Sequence, residues 1–402
     1  MRFKAFLKKY KDYLIGVFTG ITFCVAVYVI LLMFGIFPFE GKVVGGIHNK
    51  TRIISDCIER YYQGEYDEQK LVDGAASGMV DALGDKYSCY YSKSEYKDKK
   101  DQINGQYVGI GVTMQQKDNE RIKVVSVNEN GPAAKAGMQV GDVILKLDGV
   151  DYTSKKIKDL TDVIKNDENK NKTFVITVER TGEDGKAQNI DIKVVTDTVK
   201  VVSVASEMID GYGYIRIATF DNETDDQFKK KVDDLEKQGA KGLLIDLRDN
   251  GGGIVDSAIN MLNRLLPKGK LITEKSKRGE DVEYTSDDEQ KYDKPIVVLV
   301  NGNSASASEI FAGSLRDRAG VKLVGTKTYG KGVVQSVISL EDSCGGGLKL
   351  TTSEYFLPNG ETIHKKGLTP DIVEEYKKQS EGAYSKDQDN VLQKGLEVLK
   401  AQ

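Results

Sequence analysis

Apolar and polar positions divide this chain into distinct regimes. Residues 14–37, LIGVFTGITFCVAVYVILLMFGIF, carry no charge over 24 positions. At about 1.5 Å per residue such a helix reaches about 36 Å, enough to cross a hydrocarbon core of about 30 Å. Arg2, Lys4, Lys8, Lys9 and Lys11 precede it, and no Lys or Arg follows before Lys42. That asymmetry predicts a cytoplasmic N-terminus and an extracytoplasmic remainder. The run is longer than the core of a secretion signal, and GIFPFEGK offers no small-x-small cleavage site. The expectation is a single uncleaved anchor in the cell membrane, with 1–13 as a cytoplasmic tail.

Residues 38–50 read as a juxtamembrane linker, and 51–83 repeat apolar positions at helical spacing. Together 38–97 form a linker and N-terminal helical region, serving either as an arm for packing or self-association or simply as the start of a domain. Over 98–196 the period shortens to strand-like runs, YVGIGVTMQQ, RIKVVSV, DVILKLDG, FVITVER and NIDIKVV, with one helical stretch near 156–165. From about 201, apolar runs alternate with amphipathic stretches such as TDDQFKKKVDDLEKQ and IVDSAINMLNRLL, the pattern of an α/β domain over 197–380. A last helix is expected within 381–402, in DNVLQKGLEVLKA.

Composition narrows the function. Apolar residues make up 39% and charged residues 30%, which permits a real core, and a net charge of −3 with scattered basic residues gives no reason to expect nucleic acid. Four cysteines without ligand spacing exclude a zinc ribbon or a disulfide framework, so no metal or organic cofactor is expected.

Candidate chemistry gathers after the apolar run PIVVLV, where NGNSASASEI sets Ser304, Ser306 and Ser308 at alternate positions. A strand-to-helix turn suits a nucleophile, because the helix start supplies free N–H groups. Ser306-Ala307-Ser308-Glu309 is equally a capping box. A Ser-His-Asp triad would have to use His364, since His48 lies beside the anchor and there are only two histidines. A lysine can serve as base if burial keeps it neutral, and Lys331, between Gly330 and Gly332, has the most apolar surroundings, with Lys322 and Lys327 more exposed. Gly325 to Lys331 also fits G-x-x-x-x-G-K, yet Gly332 stands where a phosphate loop needs Ser or Thr, and VVQSVISL reads as a strand. The triplet Gly251, Gly252 and Gly253 closes a buried strand, LLIDLRDN, and offers backbone amides to an oxyanion or simply a turn.

Two resemblances follow from these residues. NENGPAAKAGMQVGDVILKLDGVD, preceded by YVGIGV, resembles a PDZ domain of the circularly permuted bacterial type. Its carboxylate-binding loop would be Tyr107, Val108, Gly109, Ile110 and Gly111. NGNSASASEIFAGSLRD, VGTKTYGKGVVQ, IDLRDNGGG, GYIRI and TTSEYFLPNGETIHKKGLTPDI, in that company, resemble the carboxyl-terminal processing (tail-specific) proteases. The resemblance implies an α/β catalytic domain with a β-rich PDZ domain, Ser306 as nucleophile, Lys331 as general base and Gln335 orienting that lysine. It implies oxyanion donors in the backbone amides of Gly252 and Ala307. Gly251 departs from the proline common there. Substrates would be proteins with free, apolar C-termini outside the cytoplasm, and homodimers would form through the N-terminal or C-terminal helices. The alternative is a catalytically inactive, membrane-anchored PDZ scaffold. A trypsin-like protease with a PDZ module fits poorly, because it needs a histidine upstream of the serine.

Overall fold

The computed structural model describes residues 10–33, 42–117, 120–182, 184–277, 279, 281–287, 292–342, 344–377 and 385–402. The chain divides into two compact units, Met1–Leu83 and Gly84–Gln402.

The first unit is helical, over Lys11–Met33, Lys42–Tyr61 and Glu68–Asp81, the last capped by Asp67, whose carboxylate accepts the N–H groups of Gln69 and Lys70. Two expectations change here. Most of the linker expected over 38–50 is helix, because the apolar spacing Val43, Ile47, Ile54, Ile58 runs upstream through Gly45 and Gly46. The expected anchor, 14–37, extends past Met33 to positions outside the described residues, as do residues 1–9 of the tail. Among the described residues no helix is long and apolar enough to cross a membrane.

In the second unit, helix Lys93–Asn104 runs across the expected domain boundary at 97/98. A β-domain follows, with strands in the order Val112–Gln115, Lys123–Val127, Val143–Leu147, Thr173–Thr181 and Ala187–Val195. The expected helix near 156–165 is Ile157–Ile164, whose Leu160 and Ile164 join Ile122, Ile144, Phe174 and Ile176 in one core. Gln106–Gly109 pairs with Asp197–Lys200, so the chain enters and leaves this domain through one two-stranded ladder.

The α/β domain is built on a six-stranded sheet. Val204–Ile209 runs antiparallel to Tyr212–Ile217, and Leu243–Asp246, Ile296–Val300, Lys322–Gly325 and Ile372–Val373 follow in parallel. Alternation along these strands feeds two cores, as expected of a sheet covered on both faces. Leu243, Ile245, Val298 and Val300 pack with Phe228, Leu262 and Phe311 of helices Thr224–Lys237, Val255–Leu265 and Ala307–Ala319. Leu244, Val297 and Leu299 pack instead with Val391, Leu392 and Leu396 of helix Asn390–Lys400. The C-terminal helix is therefore part of this domain's wall. Buried Arg248 holds it there, donating to Asp246 at 2.7 Å and to Asp389, the helix cap, at 2.9 Å. A second sheet carries Cys89–Tyr91, Val333–Ser339, Gly347–Phe356, Gly269–Ser276 and Asp281–Ser286.

Candidate active site

The fully buried strand Ile296–Val300 ends at the carboxyl edge of the parallel sheet, where α/β folds bind ligands. The three serines then divide by their alternate spacing. Ser304 Oγ donates to Leu247 O at 2.8 Å and accepts the Asn301 N–H, and Ser308 Oγ donates to Asn250 O at 2.9 Å. Both pin the serine turn to the glycine loop. Ser306 alone lines the cleft, at φ 56° and ψ −118°, immediately before helix Ala307–Ala319. A non-glycine residue there stores about 1–3 kcal/mol of strain, which aims its hydroxyl away from the helix. The capping box is half made: Ser306 N–H donates to Glu309 Oε2 at 2.9 Å, but the Ser306 hydroxyl makes no cap hydrogen bond.

Glu309 does far more than cap. Fully buried, it accepts the Ser306 and Lys331 N–H groups on Oε2, both at 2.9 Å, and the Gly330 N–H and Thr328 hydroxyl on Oε1, at 2.8 and 2.5 Å. Tyr355 answers from the opposite side. Its buried hydroxyl donates to Lys331 O at 2.9 Å and lies 3.3 Å from Ser306 O. One acceptor and one donor thus tie the backbones of the serine and lysine loops together. The capping signature did point to Glu309, but spacing along one helix could not reveal a partner 22 residues away. Nothing in the sequence flagged Tyr355.

Lys331 lines the same cleft. Burial, and after it the charges of Lys349 and Lys99, hold its amine below the usual lysine value, with Glu309 and Asp85 opposing. Nζ lies 5.2 Å from the Tyr87 ring centroid, and among the described residues it has no hydrogen bond to Ser306 Oγ. Gly332 is required beside it because a Cβ there would stand 2.5 Å from His364 N. His364 is absent from the cleft lining, so the histidine triad has no base. Gln335 lines the cleft, but Nε2 donates to Val333 O and Thr351 Oγ1, at 3.4 and 3.3 Å, and not to Lys331. A bulge between Val334 and Gln335 resets its strand register, which spacing along the sequence could not show.

The glycine loop also departs from expectation. Gly252, at φ 95°, lies so near Ser306 that a Cβ would meet Ala305 O at 2.6 Å and Ser306 Cβ at 2.8 Å. Its amide, expected to face an oxyanion, donates instead to Asn250 Oδ1 at 2.8 Å. Asn250 is fully buried and bonded through Nδ2 to Ile217 O, so the amide is engaged within the loop. The Ala307 N–H, first of its helix, has no acceptor among the described residues, as helix geometry dictates.

The cleft measures about 650 Å³ and runs from Ser306 and Lys331 past the glycine triplet to Phe220 and Tyr284. A larger cavity, about 880 Å³, lies between Arg216, Asn301 and Glu374 and touches neither Ser306 nor Lys331.

In the β-domain, Val108, Gly109, Ile110 and Gly111 are buried and Tyr107 half-buried, its ring 4.7 Å from Lys165 Nζ. Ala133 N–H bonds Ile110 O, and Asn128 N–H bonds Gly111 O. The N–H groups of Ile110 and Gly111 have no acceptor among the described residues.

Comparison with known proteins adds three family matches: peptidase family S41 over residues 211–374, a PDZ domain over 107–194, and the activating protease CtpB N-terminal domain over 45–95. The chain is 36% identical over 335 residues to a carboxy-terminal-processing protease of Bartonella bacilliformis, covering 80% of this chain and 74% of that one. The chain belongs to peptidase family S41, the carboxy-terminal processing proteases, which are serine-type endopeptidases. Carboxy-terminal processing protease CtpA of Bacillus subtilis is 38% identical over 317 residues, covering 78% of this chain and 66% of that protein's length. A solved structure from Bacteroides fragilis, described as an S41 protease, shares the fold at 17% identity and a TM-score of 0.52, over 87% of this chain and 97% of that one.

Proposed function

We propose that this S41 chain is a membrane-anchored serine endopeptidase that cuts extracytoplasmic proteins near their C-termini. Neutral Lys331 takes the proton of Ser306 Oγ, and Ser306 attacks the peptide carbonyl. The oxyanion is met by the Ala307 amide; its collapse breaks the C–N bond, the Lys331 ammonium gives its proton to the departing amine, and a water deprotonated by Lys331 then hydrolyses the acyl-enzyme and frees Ser306. Gly252 joins as second donor only once its amide leaves Asn250 Oδ1. The observation that carries this reading is the strained Ser306 in one cleft with a half-buried lysine held below its usual pKa. Catalytic hydrogen bonds are often long without substrate and tighten in the complex, so the open Ser306–Lys331 pair is compatible with turnover. Ser306→Ala and Lys331→Ala should each abolish cleavage of a peptide with an apolar C-terminus, while circular dichroism stays native. Full activity in either purified variant would overturn the assignment.

The β-domain would bind the substrate C-terminus through the amides of Ile110 and Gly111. The uncharged run at 14–37 and the basic residues before it support anchoring with the N-terminus in the cytoplasm. Recovery of the whole chain in the soluble fraction after cell lysis would contradict that placement. Self-association would use the N-terminal helices, where Ile53, Ile54, Val72 and Met79 are exposed, rather than the C-terminal helix, whose apolar face is spent on the sheet. Equilibrium sedimentation showing a monomer would remove it. The rival reading, a PDZ scaffold without turnover, draws on the engaged Gly252 amide, which must rearrange before it can serve the proposed chemistry. The same cleavage assay on the unmodified chain decides between the two.

A further inference from the structure

Three lysines share one cleft. Lys331 enters from its glycine-flanked loop, Lys99 from helix Lys93–Asn104, and Lys349 from strand Gly347–Phe356. The proposed mechanism uses Lys331 and leaves the other two without a task. Neither Lys99 nor Lys349 has a carboxylate partner among the described residues, although Lys100, one position further on the same helix, pairs with Glu341 at 3.1 Å. Lys349 lies 5.7 Å from the Tyr91 ring centroid and acts on the Asp85 carboxylate only through its charge, without an ion pair among the described residues.

The acids of the cleft are committed elsewhere. Glu274 accepts the hydroxyls of Tyr284 and Ser353, and Asp221 accepts the Glu223 N–H and the Thr224 hydroxyl. Asp256 sits in the first turn of helix Val255–Leu265, where the exposed N–H groups already favour a negative charge. The lysines are also partly withdrawn from water. Lys99, like Lys331, is held below its usual value by burial first and the Lys349 charge second. Asp85 opposes the charges of Lys349 and Lys331 at longer range and Asp221, Asp256 and Glu274 line the same cleft, but among the described residues none of them closes an ion pair with Lys99 or Lys349, so both ammonium groups stay open to an anion that arrives with the substrate.

We infer that Lys99 and Lys349 form a carboxylate-binding subsite that holds an anionic group of the substrate beside the scissile bond. This rests on Ser306 being the nucleophile of the cleft. The anion can be the α-carboxylate of a short C-terminal tail or an Asp or Glu side chain near the cleavage point. In both cases the chemistry is an ammonium–carboxylate pair, strengthened by partial burial and weakened by salt.

The test compares kcat/KM for one cleavable peptide as its free acid and as its C-terminal amide, and again with each Asp or Glu replaced by Asn or Gln. The full chain in detergent is used, as wild type, Lys99→Met/Lys349→Met and Lys99→Arg/Lys349→Arg. Wild type should favour the carboxylate peptide by about tenfold, mainly through KM, and the preference should fall at least threefold in the Met pair. The Arg pair should keep most of it, which separates lost charge from lost packing. Loss on amidation assigns the α-carboxylate, and loss on Asn or Gln replacement assigns a side chain. A ratio shared by wild type and the folded Met pair, or no preference in wild type, overturns the subsite. Removing the lysines also shifts Lys331, but that acts on both peptides alike and leaves the ratio untouched. If Ser306→Ala cleaves as well as wild type, the nucleophile assignment fails, and a subsite failure is then distinguishable from it.

Discussion

Two glycine-bearing loops in this molecule promise the same thing and deliver it differently. Gly109-Ile110-Gly111 in the β-domain and Gly251-Gly252-Gly253 in the α/β domain each lie at the end of a strand, and each was expected to turn backbone amides toward an oxygen of the substrate. In the first, the amides of Ile110 and Gly111 have no acceptor among the described residues. In the second, the central amide is bonded to Asn250 Oδ1, and the Gly252 carbonyl accepts from Phe220 N–H at 3.2 Å. Glycine records that something comes close, but not what comes close. In the β-domain the close approach is to Gly131 Cα, 3.3 Å from a Cβ built at Gly111, whereas at Gly252 it is to Ala305 O and Ser306 Cβ.

The contrast is sharpest if both loops are filled. Gly252→Ala should cost about 2–4 kcal/mol and more than a hundredfold in kcat, because a Cβ at φ 95° would drive into Ala305 O and displace Ser306. Urea midpoints and turnover measured together would expose a near-native variant, and with it an error in the loop. Tyr355→Phe comes next. It removes the donor shared by Lys331 O and Ser306 O, so kcat should fall about tenfold with KM nearly unchanged and a stability loss of about 1–3 kcal/mol. A change confined to KM would mean that Tyr355 does not position the two loops.

A smaller effect concerns pH. A lysine base works deprotonated, so cleavage should rise as pH climbs through the lowered pKa of Lys331. Lys349→Met removes a cationic neighbour, while Glu309 and Asp85 keep favouring the ammonium form and Tyr87 stays against Nζ. The Lys331 pKa then rises, and the ascending limb of the kcat profile should move to higher pH. An unmoved limb would show that Lys331 is not the titrating base. The least effect is expected at Gly111→Ala, where φ 77° strains an alanine but the nearest atom leaves room to give. A loss of about 1 kcal/mol and a few-fold weaker binding of a C-terminal peptide should follow, read by fluorescence anisotropy. An effect as large as that of Gly252→Ala would erase the distinction between the loops.

Much of the fold was legible in the sequence. Helix Thr224–Lys237 buries Thr224, Phe228, Val232 and Leu235, the spacing read from TDDQFKKKVDDLEKQ, and the alternation of PIVVLV feeds both faces of a sheet. Only the first half of helix Lys42–Tyr61 was missed, in the stretch read as a linker; its second half, from Thr51, was read as helical, and the apolar period continues upstream through Gly45 and Gly46. Gln335 was assigned by resemblance as the residue that orients Lys331, and a bulge between Val334 and Gln335 changed its register. Arg248 and Asp389 look like ordinary surface charges in the sequence, yet 141 residues apart they close a buried ion pair behind the site.

The sequence alone determined which residue types stand where: three serines after a buried strand, a lysine between glycines, and only two histidines. Those are local facts, set by strand period, helix start and composition. Only the tertiary structure decided among equals. Alternate spacing turns Ser304 and Ser308 toward the carbonyls of Leu247 and Asn250, and leaves Ser306 strained and facing the cleft. Glu309 and Tyr355 reach across more than 20 residues to bind the serine and lysine loops together. Hydrogen bonds between segments distant in sequence are made in three dimensions, so no periodicity along one strand or helix could have announced them.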